Sequence, residues 1–155
     1  MEIIKAGHEH KEAVLKLLDD FRTECSKTIY PKRDFVSTSA RESGGPLYDE
    51  VVDSRECGMF LARERGRIVG VINVYRIPQI RKGEHCAEVE EVYVIPEFRG
   101  KGVAKQLMDE VVKWTKSNRV RSVRLESGRR LKRAHAFYEK CGFKSYARAY
   151  EKKIK

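Results

Sequence analysis

Hydrophobic residues recur along this chain at two different spacings, and each spacing predicts a different kind of element. Steps of three and four residues, which place side chains on one face of a helix, mark three segments. They are carried by Ala13, Val14, Leu17, Leu18 and Phe21, by Val103, Leu107, Val111 and Trp114, and by Ala134, Phe137, Tyr138 and Cys141. The sequence therefore predicts three amphipathic helices, and we expect a further short helix at residues 47–52.

Apolar and alternating runs between these helices predict strands. They cover residues 2–6, the hairpin GMFLARERGRIVGVINVYRI with its turn at Arg65 and Gly66, residues 85–95, the segment VRSVRLES, and the final segment FKSYARAYEKKI. Residues 26–46 are polar, end in SGGP and are predicted to form an irregular loop. The order of the elements predicts an α+β fold around one mixed sheet.

Chain length and cysteine spacing narrow the class of protein. A chain of 155 residues has the usual size of one domain, so we expect residues 1–155 to form a single domain. The four cysteines stand far apart and form no CxxC pair, which argues against a structural zinc site or a disulfide framework. No apolar run approaches the roughly 18 residues that a membrane span needs. We therefore expect a cytoplasmic protein with no bound metal and no membrane partner.

The positive charge is concentrated in the C-terminal third. The formal net charge is +10, but residues 1–98 carry 15 Lys and Arg against 18 Asp and Glu, whereas residues 99–155 carry 18 against 5. A basic region of this kind suits a nucleic acid, an acidic surface or a phosphorylated small molecule. The charge alone does not choose among these partners.

The basic region begins at a glycine turn, Arg99-Gly-Lys-Gly102, which opens the second long helix. A helix start exposes unpaired backbone N–H groups, and these suit a phosphate. Glycine has no Cβ to obstruct the approach of an anion. The spacing differs from the motifs of P-loop proteins and of dinucleotide-binding proteins. The turn is therefore predicted to bind a diphosphate of another kind, unless its glycines only shape a surface bend.

Two motifs together resemble a known family. Arg99-x-x-Gly102-x-Ala104, directly after the strand EEVYVIPEF, resembles the R/Q-x-x-G-x-G/A signature of the GNAT superfamily of N-acetyltransferases. The segment AHAFYEKCGF, residues 134–143, resembles the second signature, a helix with a tyrosine followed by Gly-Phe. The order of elements is similar over essentially the whole chain. The resemblance implies the family's fold, a twisted and mostly antiparallel mixed sheet flanked by helices, with two parallel strands that splay apart.

The same resemblance implies acetyl-CoA as co-substrate. Its pantetheine arm would pair with the backbone of Val92, Tyr93 and Val94 in the gap between the splayed strands. Its diphosphate would meet the turn and the helix start, formed by Arg99, Gly100, Lys101, Gly102, Val103 and Ala104. One position departs from the family pattern, because many members have an asparagine where this chain has Leu131.

Acetyl transfer to an amine also needs acid and base groups. Tyr138 is the candidate acid, since a phenol with a pKa of about 10 is protonated at neutral pH and can donate to the departing thiolate. The alternative for Tyr138 is a packing role. Resemblance to family members that use a glutamate makes Glu88 and then Glu90 the candidate bases, and the alternative for each is a solvated acidic strand end. Strict alternation places Glu91 on the opposite face, although a bulge would shift this. A chain of water molecules could also replace the base.

The resemblance implies an N-acetyltransferase in which the amine attacks acetyl-CoA directly in a ternary complex. We expect a small amine or an amino-acid derivative as acceptor, in preference to a peptide lysine or N-terminus. The alternative is a non-catalytic module that senses acetyl-CoA or binds nucleic acid through the basic third. Nucleic acid is the less expected partner, and a homodimer formed through the last strands is possible.

Overall fold

The computed structural model describes residues 1–154, and within them the strands form one sheet in the order β1-β2-β3-β4-β5. The strands are Glu2–Lys5 (β1), Cys57–Glu64 (β2), Arg67–Gln79 (β3), Glu84–Val94 (β4) and Val123–Leu125 (β5). The helices are Lys11–Ile29 (α1), Ser39–Ser43 (α2), Gly45–Asp53 (α3), Val103–Ser117 (α4) and Lys132–Lys140 (α5). None of the helices described combines the length and apolar character that crossing a membrane requires.

Neighbouring strands are antiparallel from β1 to β4, whereas β4 and β5 are parallel. The predicted hairpin is confirmed, since β2 and β3 are joined by Arg65 and Gly66 with φ angles of 48° and 81°. Two successive positive φ angles match the right-handed twist of the strands. The mixed sheet predicted from the order of elements is therefore also confirmed.

Helices α1 and α4 cover opposite faces of the sheet. On one face, a Cβ placed on Gly70 would lie 3.2 Å from the Leu107 side chain of α4. On the other face, the ring of Tyr93 stacks on the ring of Phe21 of α1, with centroids 5.2 Å apart. Leu61 and Ile72 are fully buried between these layers. Helices α1 and α4 thus supply the apolar faces that close the core, and the partly buried Phe137, Tyr138 and Cys141 of α5 pack against it.

The region predicted as an irregular loop is partly helical, which corrects the sequence analysis. Helix α1 continues to Ile29, and α2 forms at residues 39–43. The segment that contains α2 is held in place by the buried carboxylate of Asp19, which is 2% exposed. It accepts hydrogen bonds from the Ser37 hydroxyl at 2.9 Å, from the Ala40 N–H at 3.0 Å and from Arg41 Nε at 2.9 Å. These bonds hold the polar segment against α1 and start α2.

We expect Asp19→Asn to lower the free energy of unfolding at pH 7 by about 2 kcal/mol, because the charge-assisted bonds to Arg41 and its neighbours weaken. Burial alone would raise the pKa of Asp19, but hydrogen bonds from Arg41, Ala40 and Ser37 outweigh it and lower the pKa below 3.8. A lowered carboxyl pKa stabilises the fold above the unfolded-state pKa, and this stabilisation is lost as pH falls through the folded-state pKa.

Denaturant titrations of wild type and Asp19→Asn across acidic and neutral pH would test this. The difference between them should be constant above about pH 5 and shrink below it. Asp20→Asn is the matched control, since Asp20 is exposed and makes one long contact with Lys16 at 3.4 Å. A variant of Asp19 as stable as the Asp20 control would contradict the role given to this carboxylate.

The predicted last strand is wrong for the residues described, since residues 144–154 contain no strand. Strand β5 is three residues long, so it offers a short edge for pairing. The alternating large residues of the segment gain little burial, with Tyr146 74% exposed, Tyr150 89% and Ile154 85%. The segment instead borders an open groove of about 1460 Å³ with β5 and α5. Alternation of charged and aromatic residues without an apolar face did not suffice to form a strand.

Candidate active site

The gap predicted between two parallel strands is present. Strand β4 pairs with β5 at Ala87, Glu88 and Val89, and no pairing with β5 continues beyond Val89 in the part of the chain described. The N–H of Ile95 donates to the Val69 carbonyl at 3.0 Å, which fixes the direction of the alternating backbone groups. The N–H groups of Val92 and Val94 therefore point away from β3 and into the gap.

The glycine turn lies at the end of β4 and opens α4. Gly100 and Gly102 have φ angles of 76° and 79°, in the left-handed region that glycine adopts without strain. Beyond the glycine and its two chain neighbours, a Cβ built on either residue would meet no atom of the described chain within 4 Å. Among residues 1–154 no side chain caps α4, whose first residue is Val103. The turn thus presents open space and uncapped N–H groups, which is the arrangement that suits an anion.

The cationic side chains of the turn differ in their environment. Lys101 is exposed, and its Nζ lies 5.1 Å from the centroid of the Phe98 ring. Arg99 instead donates from both terminal nitrogens to the carboxylate of Glu24, each at 2.6 Å, and from Nε to the Val94 carbonyl at 2.6 Å. Lys101 is therefore an accessible cation at the rim, whereas the charge of Arg99 is neutralised by α1.

Glu24 is a site residue that the sequence analysis missed. The hydrogen bonds from Arg99 lower its pKa, and the hydroxyl of Tyr93 donates to it at 3.2 Å. Glu24 and Arg99 are 75 residues apart, so no local pattern predicts their contact. Their only sequence signal was the helical spacing that turns one face of α1 toward the sheet. The pair fastens α1 to the end of β4 beside the turn.

A bulge in β4 changes the faces on which the glutamates lie. Val74 pairs with Val89 and Ile72 with Val92, so two residues of β4 lie opposite Asn73 alone. The Asn73 side-chain oxygen accepts the N–H of Glu91 at 2.7 Å and satisfies the extra backbone group. The prediction that Glu91 lies on the face opposite Glu88 is therefore wrong, because the extra residue reverses the alternation.

The three glutamates have different surroundings. Glu88 lies opposite Tyr75 and accepts hydrogen bonds from Arg124 of β5, with Nε at 2.7 Å from Oε2. Glu90 is exposed. The pKa of Glu91 is raised, first by burial and further by the charge of Glu90, although a hydrogen bond with Asn73 opposes this. Glu91 thus has the environment of a carboxyl that holds its proton more tightly than an ordinary glutamate.

Tyr138 lies on α5 with its ring half-buried between aromatic neighbours. The ring of Phe137 is 5.4 Å away and that of Phe143 is 6.0 Å away, centroid to centroid. Burial raises the pKa of Tyr138 to about 12, with a smaller contribution from nearby Cys25 of α1. No hydrogen-bond partner for its hydroxyl occurs within residues 1–154. The phenol is therefore protonated at neutral pH and free to donate.

The position of the expected family asparagine is also clear. Leu131 directly precedes α5, and its N–H donates to the Gly128 carbonyl at 2.9 Å. His135, one turn later, places Nε2 at 3.0 Å from the same carbonyl. The leucine side chain carries no amide group. A ligand contact made by the asparagine side chain in other proteins therefore has no side-chain counterpart at this position.

No group of three or more His, Cys, Asp or Glu residues arranged to hold a metal ion occurs in residues 1–154. The site brings together four features that bear on its chemistry. They are an anion-binding turn, an open strand edge, a protonated phenol and a carboxyl with a raised pKa. Together they suit acyl transfer between a phosphorylated carrier and a nucleophile that must lose a proton.

Comparison with known proteins agrees with this chemistry. The model of the acetyltransferase (GNAT) family matches residues 14–143. Over 90 residues the chain is 34% identical to an uncharacterized N-acetyltransferase of Methanocaldococcus jannaschii, a match that covers 57% of this chain and 39% of that protein. Over 91 residues it is 32% identical to a glucosamine 6-phosphate N-acetyltransferase of Trypanosoma brucei brucei, covering 58% of this chain and 60% of that protein.

Both matches span less than two thirds of the relative's own length. Among solved structures, the fold is similar to that of the aminoglycoside N-acetyltransferase AAC(6')-Iy in complex with CoA. The TM-score is 0.75 and the identity 18%, with 99% of each chain covered. At that identity the likeness concerns the fold alone.

Proposed function

The chain belongs to the acetyltransferase (GNAT) family, and from this membership we propose that it is an N-acetyltransferase that moves an acetyl group from acetyl-CoA to a primary amine. The amine attacks the thioester directly while both substrates are bound. The observation that carries the proposal is the open edge of β4, which ends at the glycine turn. Apart from the glycine and its two chain neighbours, no atom of residues 1–154 lies within 4 Å of the place that a Cβ would take on Gly100 or Gly102.

The residues of the turn and strand fit the coenzyme. The N–H groups of residues 100–104 would hold the diphosphate, because they open a helix and no side chain of the described residues caps them. The exposed ammonium of Lys101 adds a positive charge there. The backbone of Val92 and Val94 would pair with the amides of the pantetheine arm, as an added strand does. When bound, acetyl-CoA supplies the acetyl group as a thioester.

Arg99 has a positioning role in this proposal. Its guanidinium is neutralised by Glu24 and its Nε holds the Val94 carbonyl at 2.6 Å. It therefore fixes the end of the strand relative to the turn, and the diphosphate would depend on the backbone and on Lys101 for positive charge.

Tyr138 serves as the general acid in the proposed reaction. Its pKa of about 12 keeps the phenol protonated throughout the physiological range. A protonated group without a hydrogen-bond partner in residues 1–154 can donate to a developing thiolate at no cost of breaking another bond.

Glu91 joins Glu88 and Glu90 as a candidate base, and we propose that it receives the proton of the amine, directly or through water. Arg124 engages Glu88, because its Nε and Nη2 both contact Glu88 Oε2, at 2.7 and 2.6 Å. Glu91 instead lies at the bulge where the gap begins. A carboxyl with a raised pKa is the better proton acceptor.

We expect Glu91→Gln to lower kcat about tenfold, less than the usual effect of losing a general base, because water can substitute. In the wild type, kcat should fall at low pH with a midpoint above 4.5, since the pKa of Glu91 is raised above that value. The variant should lack this acidic limb. Glu88→Gln and Glu90→Gln are the matched controls. A larger loss of kcat in Glu88→Gln than in Glu91→Gln would assign the role of base to Glu88.

A small amine or amino-acid derivative is the acceptor class that we propose. The curated relative from Trypanosoma brucei brucei is named for an amino sugar phosphate, which is a small amine. Release of thiol from acetyl-CoA should be measured with amino sugars, amino-acid amides, polyamines and lysine peptides. Turnover with small amines supports the proposal. Binding of CoA without thiol release on any amine would favour the non-catalytic alternative.

A further inference from the structure

A second concave surface lies at the C-terminal end of α1. We call it the Tyr30–Arg130 groove; its volume is about 560 Å³ and it is lined by Ile29, Tyr30, Pro31, Lys32, Arg33 and Arg130. Two distant segments of the chain build it. They are joined by Arg130, whose Nη1 donates to the Ile29 carbonyl at 2.5 Å. The groove thus lies where a hydrogen bond joins the end of α1 to the loop that precedes α5.

The groove is strongly and openly positive. Lys32, Arg33 and Arg130 are exposed, and none of them forms an ion pair within residues 1–154. Arg129, Lys132 and Arg133 follow on the same loop and helix start and are exposed as well. Many arginines elsewhere are paired, among them Arg41 with Asp19 and Arg124 with Glu88. Uncompensated cations around an open surface groove favour an anionic ligand.

The chain that follows Arg130 lies near the proposed coenzyme site. Hydrogen bonds from Arg99, at the end of β4, lower the pKa of the Glu24 carboxyl, and the charge of Arg133, three residues after Arg130, contributes in the same direction. Tyr30 leaves 55% of its surface exposed at the groove, so an organic group could pack on its ring. A lone inorganic ion would contact the cations but would not pack on the Tyr30 ring.

We propose that the Tyr30–Arg130 groove binds a phosphoryl group carried by one of the two substrates. The group is either the 3′-phosphate of coenzyme A or a phosphate on the acceptor, and both would be recognised by the same guanidinium and ammonium donors. This inference rests on the proposed function and deepens it, because it assigns part of the excess positive charge to substrate selection.

The first arm of the test measures the dissociation constants of CoA and dephospho-CoA by calorimetry. The variant is Lys32→Gln/Arg33→Gln, and the matched control is Arg55→Gln/Arg121→Gln, which removes the same charge from two exposed arginines outside the groove. If the 3′-phosphate binds in the groove, wild type and control should prefer CoA about tenfold. The preference should fall to less than about threefold in the variant.

The second arm titrates inorganic phosphate into each protein after saturation with CoA. Phosphate binding to the wild type but not to Lys32→Gln/Arg33→Gln, together with equal affinities for CoA and dephospho-CoA, assigns the groove to a phosphate on the acceptor. Equal affinities and no difference in phosphate binding overturn the inference and leave the proposed function intact. Failure of both CoA and dephospho-CoA to bind any of the proteins overturns the proposed function and this inference with it.

Discussion

Replacing Tyr138 by phenylalanine is expected to lower kcat about a hundredfold and to leave the dissociation constant of CoA unchanged. The phenol is the proposed proton donor to the departing thiolate, and losing a general acid costs a factor of this order or more. Phenylalanine keeps the ring between Phe137 and Phe143, so the packing of α5 is preserved. Steady-state kinetics and calorimetry with CoA measure the two quantities.

The pH dependence gives an independent check of the same role. A pKa of about 12 means that Tyr138 stays protonated well past the ordinary tyrosine value of 10. The acid form is therefore lost only as pH rises toward 12, so deprotonation of Tyr138 should not reduce kcat between pH 7 and pH 10. A wild-type kcat that falls in this range, with the fall absent in Tyr138→Phe, would contradict the raised pKa.

Tyr146→Phe is the matched control, because Tyr146 is 74% exposed in the C-terminal segment. Its kcat should equal that of the wild type. The hydroxyl of Tyr138 makes no hydrogen bond to residues 1–154, so Tyr138→Phe should also unfold at the wild-type denaturant concentration. Wild-type kcat in Tyr138→Phe would leave the residue a packing role and transfer the acid to another group.

The elements that the sequence predicted well are those with a repeated local signal. The helical spacing of Val103, Leu107 and Val111 recurs along α4, and each of the three is buried. The hairpin turn contains Gly66, which tolerates a positive φ, and it is flanked by apolar runs. Such signals lie within a few residues of one another, so the sequence alone contains them.

The features that the sequence analysis missed depend on contacts between distant residues. The bulge that moves Glu91 to the face of Glu88 requires one more residue in β4 than in β3. The alternation of residues within either strand does not reveal this difference. Its signal was Asn73, a polar residue within the apolar run VGVINVY, and it is 3% exposed with its oxygen on the Glu91 N–H. A buried polar side chain in a strand is a reason to look for a backbone group that it satisfies.

In the C-terminal segment, by contrast, a local pattern predicted an element that the structure does not contain. Alternation at Tyr146, Arg148 and Tyr150 predicted a strand, but a strand also needs a partner edge and a face to bury. Strand β5 provides an edge of three residues, and both tyrosines remain exposed. Local pattern without a burial site is therefore weaker evidence for a strand than for a helix, whose hydrogen bonds are internal.

Replacing Gly102 by valine is expected to weaken CoA binding about a hundredfold. The φ angle of 79° disfavours a β-branched residue, so the turn would change conformation and its N–H groups would no longer converge on the diphosphate. Losing one or two charge-assisted hydrogen bonds accounts for a factor of this size. Calorimetric titration with CoA measures the loss.

Gly66→Val separates the loss of binding from the cost of backbone strain. Gly66 has a φ angle of 81°, and beyond its two chain neighbours a Cβ there would also meet no atom of the described chain within 4 Å. Unlike Gly102, it lies in the β2–β3 turn. Both variants should lose about 1–2 kcal/mol of unfolding free energy, since each places a side chain in the left-handed region. The backbone strain is the same in the two variants, and the space around both glycines is open. Weaker CoA binding in Gly102→Val alone therefore identifies the turn before α4 as the place where the diphosphate approaches the backbone. Equal CoA affinities in the two variants would place the diphosphate elsewhere.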